Sequence, residues 1–200
     1  MRERLAQVGS PLGADVECLT WLPDWRPGQD VSEGYAASPQ EGGVLRDLIH
    51  EIDYTRWLLG PQTAGTARLE NRRILGFPDA VEESVYAIVQ HGETTLTMRL
   101  SYVVRPPTRR LRIWCREGLL LWDGIARTAQ LQAPSGEVKA SFAWDGPAPM
   151  YQKQAEAWVA VLRGERPSPL MVDATEGAAE LRVCDALRTS ATTGAWESPS

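Results

Sequence analysis

Leu96, Met98, Leu100 and Tyr102 alternate with Thr95, Thr97, Arg99 and Ser101. Further on, Leu111, Ile113 and Cys115 alternate with Arg110, Arg112, Trp114 and Arg116. Successive side chains of a strand point to opposite faces, so this period of two demands a sheet with one dry face and one wet face. Turn signals interrupt the region at His91-Gly92, Pro106-Pro107, Glu117-Gly118, Asp123-Gly124 and Ser135-Gly136. Strands this closely spaced form an antiparallel meander, whose dry face needs a covering layer.

Helical segments on either side supply that layer. Arg2–Val8 has a short helical pattern, followed by a strand over Asp15–Leu22 and a long polar loop over Pro23–Gln40 that holds Trp25, Arg26 and Tyr35. Ser38, Pro39 and Glu41 have the spacing of a capping box with proline at the first helical position, and Gly60-Pro61 stops the helix they begin. Met150–Leu162 places Tyr151, Ala155, Trp158 and Leu162 on one helical face. Asp173 and Glu176 cap a last helix to about Ser190, and the tail beyond Thr192 is expected to fray. The fold expected is α+β: an open, mainly antiparallel β-sheet with helices packed on one face, a single domain over residues 1–195 with a frayed tail at 196–200.

Composition excludes several classes. The 200 residues carry 21 Lys and Arg against 26 Asp and Glu, a net charge of −5. That is the wrong sign for a protein held to nucleic acid by phosphate contacts. No run approaches the roughly 18 to 20 apolar residues of a membrane span, and Met-Arg-Glu-Arg-Leu-Ala-Gln lacks the apolar run of a signal peptide. The 3 cysteines, Cys18, Cys115 and Cys184, are far apart and flanked by apolar residues, as in a cytoplasmic protein. With only His50 and His91 and no Cys-x-x-Cys pair, no metal site is expected. His91, in a hairpin, is expected at the surface. The Arg110, Arg112, Arg116 stripe reads as a solvated or self-associating sheet face.

Chemistry concentrates on the central helix. At 100° per residue, Leu45, Leu48, Ile49, Ile52, Arg56 and Leu59 form one stripe, while Asp47, His50, Tyr54, Trp57 and Leu58 gather opposite. Asp47 and His50 are three residues apart, so the carboxylate is expected to orient the imidazole, the usual general acid/base near neutral pH. A histidine merely satisfied by Asp47 is the bland alternative. Gly42 and Gly43 cost helix stability, which suggests a close approach by backbone or ligand. Trp25, Arg26 and Tyr35 suit a sugar by stacking and hydrogen bonds, though a packed loop explains them equally. No Gly-x-Gly-x-x-Gly or phosphate-binding P-loop occurs in the sequence.

Gly42-Gly43-Val-Leu-Arg-Asp47-Leu-Ile-His50-Glu-Ile-Asp53-Tyr-Thr-Arg-Trp57-Leu-Leu-Gly60 resembles the C-terminal domain of the Gfo/Idh/MocA oxidoreductases, the glucose–fructose oxidoreductase and inositol dehydrogenase family. Pro23-Asp-Trp25-Arg26-Pro-Gly-Gln-Asp30, Ser32 and Tyr35-Ala resemble a branch associated with sugar nucleotides. Glu82–Asp123 resembles the family's strand block, and Met150–Ser190 its closing helices, joined by Arg163-Gly-Glu-Arg-Pro-Ser-Pro.

The resemblance implies NAD- or NADP-linked hydride transfer on a sugar, sugar nucleotide or cyclitol. His50 takes the acid/base place, Asp47 that of its helper, Trp25, Arg26, Tyr35 and Tyr54 bind substrate, and Gly42 and Gly43 lie against the cofactor. Asp53 is expected to be structural. The family's usual spacing of helper and histidine is i,i+4, whereas here it is i,i+3. The family's Rossmann domain and its Glu-Lys-Pro lysine have no counterpart in these residues, so a Rossmann-domain partner is implied, together with homo-oligomerisation through the sheet face. The alternative is a non-catalytic sugar-binding or oligomerisation module derived from the family.

Overall fold

The computed structural model describes residues 2–168 and 171–199. An eight-stranded sheet forms the floor, in the order β2-β3-β4-β1-β5-β6-β7-β8. The strands are β1 (Pro11–Trp21), β2 (Ala64–Glu70), β3 (Ser84–His91), β4 (Thr94–Ser101), β5 (Val103–Cys115), β6 (Gly118–Asp123), β7 (Thr128–Gln132) and β8 (Val138–Ala143). Every pairing is antiparallel except that of β1 with β4, where the first strand inserts between two members of the later meander. The helices are α1 (Arg2–Leu5), α2 (Val44–Asp47), α3 (Ile49–Leu59), α4 (Ala148–Leu162) and α5 (Ala174–Thr193). The expected α+β architecture is the one observed.

The alternating segments behave as their period requires. Leu96, Met98, Leu100, Tyr102, Leu111, Ile113 and Cys115 are buried beneath α2, α3 and α5, together with Val16, Val85 and Val89 of neighbouring strands. On the other face, acids and bases from adjacent strands neutralise one another. Arg112 contacts Asp15 at 2.8 Å, Arg110 contacts Asp123 at 2.8 Å, and Arg99 pairs with Glu17. Trp114, Tyr86, Ile88 and Leu12 stand exposed among the charged and polar residues of that face. Pro106-Pro107, expected as a turn, lies inside β5, in the stretch where the β1–β5 register shifts between Leu19 and Trp21.

The central helix differs more. It begins at Val44, not at Pro39, because Gly43 takes φ +88° and ψ 154°, outside the helical region. Ser38 does act as a cap: its Oγ accepts from the Glu41 N–H at 3.2 Å. That turn ends after one residue more, when the Gly42 N–H reaches the Ser38 carbonyl at 2.8 Å. A second interruption at Leu48 (φ −94°, ψ 26°) divides α2 from α3. The buried set is therefore Leu45, Leu48, Glu51, Ile52, Thr55 and Leu58, a stripe rotated from the wheel expectation. Gly60 at φ +92° ends α3 as expected.

α5 has the expected capping box: Asp173 Oδ1 accepts from the Thr175 and Glu176 N–H groups at 2.8 and 2.9 Å. Beyond it, Glu197 pairs with Gly65 of β2 through two backbone hydrogen bonds of 2.8 and 2.9 Å, in the tail where fraying was expected. α4 departs from its expectation. Tyr151, Trp158 and Leu162 share a face, yet all three are exposed, and α4 buries no residue. Pro169 of the following linker, and Ser200, lie outside the described residues.

His91 is not at the surface. It is 2% exposed, and because a carbonyl can only accept, its Nδ1 donates to the Gly60 carbonyl at 2.7 Å, tying β3 to the end of α3. Burial lowers its pKa below the ordinary 6.5. The folded state thus binds a proton less readily than the unfolded chain. Stability from this group is complete above about pH 6.5 and is lost as pH falls through the lowered folded value. Urea unfolding between pH 8 and pH 5 is expected to show this decline, and His91→Gln, which can still donate to the carbonyl, is expected to flatten it.

Candidate active site

Where the sequence suggested one Asp47–His50 pair, the structure has two clusters. The break at Leu48 places α2 and α3 on separate helical paths, so the i,i+3 relation no longer brings the two side chains together. Asp47 instead receives two tyrosines. Tyr102, fully buried on the sheet, donates to Oδ2 at 2.6 Å, and Tyr35 of the long loop donates to Oδ1. Burial and the Asp47 charge both push the Tyr102 hydroxyl pKa far upward, so it stays a donor.

The loop residues named from sequence assemble around this first cluster. Trp25 donates its indole N–H to Thr20 Oγ1 at 2.8 Å and meets Tyr102 edge-on at 6.4 Å. Arg26 lies over the Tyr35 ring at 5.3 Å. Three short 3-10 turns, Leu22–Trp25, Val31–Glu33 and Tyr35–Ala37, give the loop its shape.

His50 belongs to the second cluster, and its partner is Glu51. Glu51 is 0% exposed; its Oε1 lies 3.0 Å from His50 Nε2 and 2.7 Å from Arg109 Nη2. These are ion-pair distances without the alignment of a straight hydrogen bond. Tyr54 donates its hydroxyl to Glu51 Oε2, and the Tyr54 ring packs on Trp122 at 5.6 Å. Desolvation, reinforced by Glu51, raises the Tyr54 pKa well above 10. The His50 side chain is 43% exposed, so the imidazole has one edge on a buried carboxylate and the rest open.

Cys18, His50 and Glu51 bring three potential ligand atoms within 4.8 Å of one another. Burial raises the Cys18 thiol to about 12, and Arg109 already stands on the carboxylate. An unready thiol and a resident guanidinium suit an ion pair better than a metal cation.

Gly42 and Gly43 are buried. A Cβ on Gly42 would meet the carbonyls of Tyr35 and Ala36, and one on Gly43 would collide with the Glu82 carboxylate. The close approach inferred from sequence is therefore made by the chain's own atoms. Beside α3 lies a cavity of about 410 Å³ bordered by Asp53, Tyr54, Trp57, Met171, Glu176 and Glu180. Within it desolvation, together with Asp53, raises Glu180 to about 7. A second cavity of about 330 Å³, around Arg110 and Asp123, opens on the outer sheet face. Neither cavity is lined by His50.

Sequence reasoning missed Glu51, Arg109, Tyr102 and Trp122. Glu51 had one visible signal, a charge on the arc between Leu48 and Ile52. Arg109 and Trp122 had none, since their meeting with α3 depends on the tertiary fold.

A profile of the GFO/IDH/MocA C-terminal domain matches residues 4–121. No curated protein matches the chain by sequence. Among solved structures, the chain is similar to an oxidoreductase domain protein from Kribbella flavida (16% identity, TM-score 0.80), covering 100% of this chain and 61% of that one. A levoglucosan dehydrogenase in complex with NADH gives 16% identity and a TM-score of 0.80, with 100% and 62% covered. UDP-N-acetylglucosamine 3-dehydrogenase from Acidithiobacillus ferrooxidans gives 20% and 0.74, with 96% and 57% covered. The chain thus spans less than two thirds of the length of these structures. It belongs to the GFO/IDH/MocA C-terminal domain family.

Removing Arg109 takes from the buried Glu51 its guanidinium partner and leaves it only His50 and the Tyr54 hydroxyl. Arg109→Met is expected to cost about 3 kcal/mol in urea unfolding, at the low end for a buried pair because water reaches the guanidinium. The double variant Glu51→Gln/Arg109→Met is expected to recover part of that loss.

Proposed function

We propose that this GFO/IDH/MocA C-terminal domain is the substrate-binding, proton-handling layer of an NAD(P)-dependent oxidoreductase acting on a sugar, sugar nucleotide or cyclitol. The observation that carries the reading is the half-open imidazole of His50, backed by the buried Glu51 and flanked by Arg109 and Tyr54. A positioned imidazole can take the proton of a substrate hydroxyl as the carbon beneath it loses hydride. Asp47, held by Tyr35 and Tyr102, fixes the loop that carries Trp25 and Arg26, the residues we assign to binding of that substrate. Two similar structures, a levoglucosan dehydrogenase in complex with NADH and levoglucosan and the WlbA dehydrogenase from Bordetella pertussis in complex with NADH and UDP-GlcNAcA, support this substrate class.

When bound, NAD or NADP supplies the hydride acceptor. The described residues contain no glycine-rich turn between a strand and a helix that would seat a dinucleotide, and Gly42 and Gly43 are filled by the chain itself. The seat is assigned to a Rossmann-domain partner. The outer sheet face, with Trp114, Tyr86 and Ile88 among mutually neutralised charges, is assigned to self-association. Among the described residues no helix is long and apolar enough to cross a membrane, and three buried free thiols suit a cytoplasmic location.

A second reading, a non-catalytic sugar-binding or oligomerisation module, is favoured by one observation: neither cavity borders His50. Fluorescence titration separates the readings. The chain alone is expected to leave NADH fluorescence unchanged, and turnover on a sugar panel is expected once a nucleotide-binding domain is supplied. Replacing His50 by Ala is expected to lower that turnover by roughly 100-fold or more. NADH binding by the chain alone contradicts the proposal, and unchanged function in His50→Ala supports the second reading.

A further inference from the structure

The helix layer packs chiefly on β1–β4, leaving the β6–β8 end of the same sheet face more open. Two indoles come together there. Trp122 of β6 and Trp144, one residue beyond β8, lie parallel within 3°, with ring centroids 6.3 Å apart. Trp122 is half buried: the Tyr54 ring leans on it, and the Arg109 guanidinium sits 5.5 Å from its centroid. Trp144 is 42% exposed. The shelf is joined directly to His50, because Tyr54 and Arg109 are the two groups that hold Glu51. The Arg109 side chain is 35% exposed, so part of its guanidinium stands open at the edge of the shelf.

An aromatic face with polar donors at one edge matches a pyranose. The C–H bonds on one face of the sugar ring lie against the indole, while its hydroxyls meet donors at the rim. We infer that Trp144, backed by Trp122, is a stacking subsite for the pyranose ring of the substrate whose hydroxyl His50 handles. This inference rests on the carbohydrate reading above and adds the residue that holds the ring.

The test is saturation-transfer NMR on the full chain, with N-acetylglucosamine, levoglucosan and uridine monophosphate as separate probes. The expected result is transfer to the pyranose C–H protons, with binding weakened roughly five- to tenfold in Trp144→Ala, largely kept in Trp144→Phe and unchanged in Trp196→Ala. Sugar binding in Trp144→Ala as tight as in the parent overturns the shelf and leaves the carbohydrate reading standing. Binding of uridine monophosphate alone, lost in Trp144→Ala, overturns it in favour of a nucleobase site. No transfer to either sugar overturns the shelf together with that reading.

Discussion

Glu82 is 4% exposed, and its carboxylate accepts from the Leu45 N–H at 3.2 Å at the start of α2 while pairing with Arg188 of α5 at 2.8 Å. Its backbone carbonyl takes the Val44 N–H at 3.1 Å, and Arg188 also donates to the Gly42 carbonyl at 2.8 Å. A buried carboxylate is tolerable only when it is paired and hydrogen-bonded, and here one side chain satisfies a helix terminus and a guanidinium together. The sheet, the first turn of α2 and α5 are thereby fixed relative to one another. Any side chain at Gly43 would occupy the place of that carboxylate, so the glycine and the acid are two halves of one device. Its neighbour Glu83, 1% exposed, serves the other direction, accepting from the Arg72 and Leu75 N–H groups at 3.0 and 2.7 Å.

With the start of α2 clamped, the interruption at Leu48 decides what α3 presents. It turns Asp47 toward the tyrosines and leaves His50 beside Glu51. The arrangement is costly in charge terms, since Glu51 is out of water and needs both Arg109 and Tyr54. That investment in a partly open histidine is hard to account for by packing alone. It distinguishes His50 from His91, whose imidazole is closed in and used as a tie between β3 and α3.

The floor of the fold was legible because strand alternation is a local property: Leu96 to Tyr102 and Leu111 to Cys115 show their burial in their spacing. The ends of α3 and α5 were legible for the same reason, through Gly60 and the Asp173–Glu176 box. The start of α2 was not. Ser38 carries a genuine capping signal, yet Gly43 overrides it because the Glu82 carboxylate, distant in sequence, needs the space. The Asp47–His50 pairing failed because the chain breaks at Leu48, between the two residues. His91 misled because a histidine before a glycine reads as a turn, and only the position of the α3 terminus shows that it is enclosed. The exposed face of α4 had the pattern of a buried one, since periodicity reports amphipathicity and not what an element meets.

Under the proposed function, the His50 imidazole on its buried carboxylate is one wall of an oxidoreductase site. Chemical rescue tests that claim most directly. In the enzyme assembled with its nucleotide-binding layer, added imidazole is predicted to restore part of the turnover lost in His50→Ala while leaving the parent unaffected. Full turnover in His50→Ala without imidazole, or equal stimulation of parent and variant, would contradict the account.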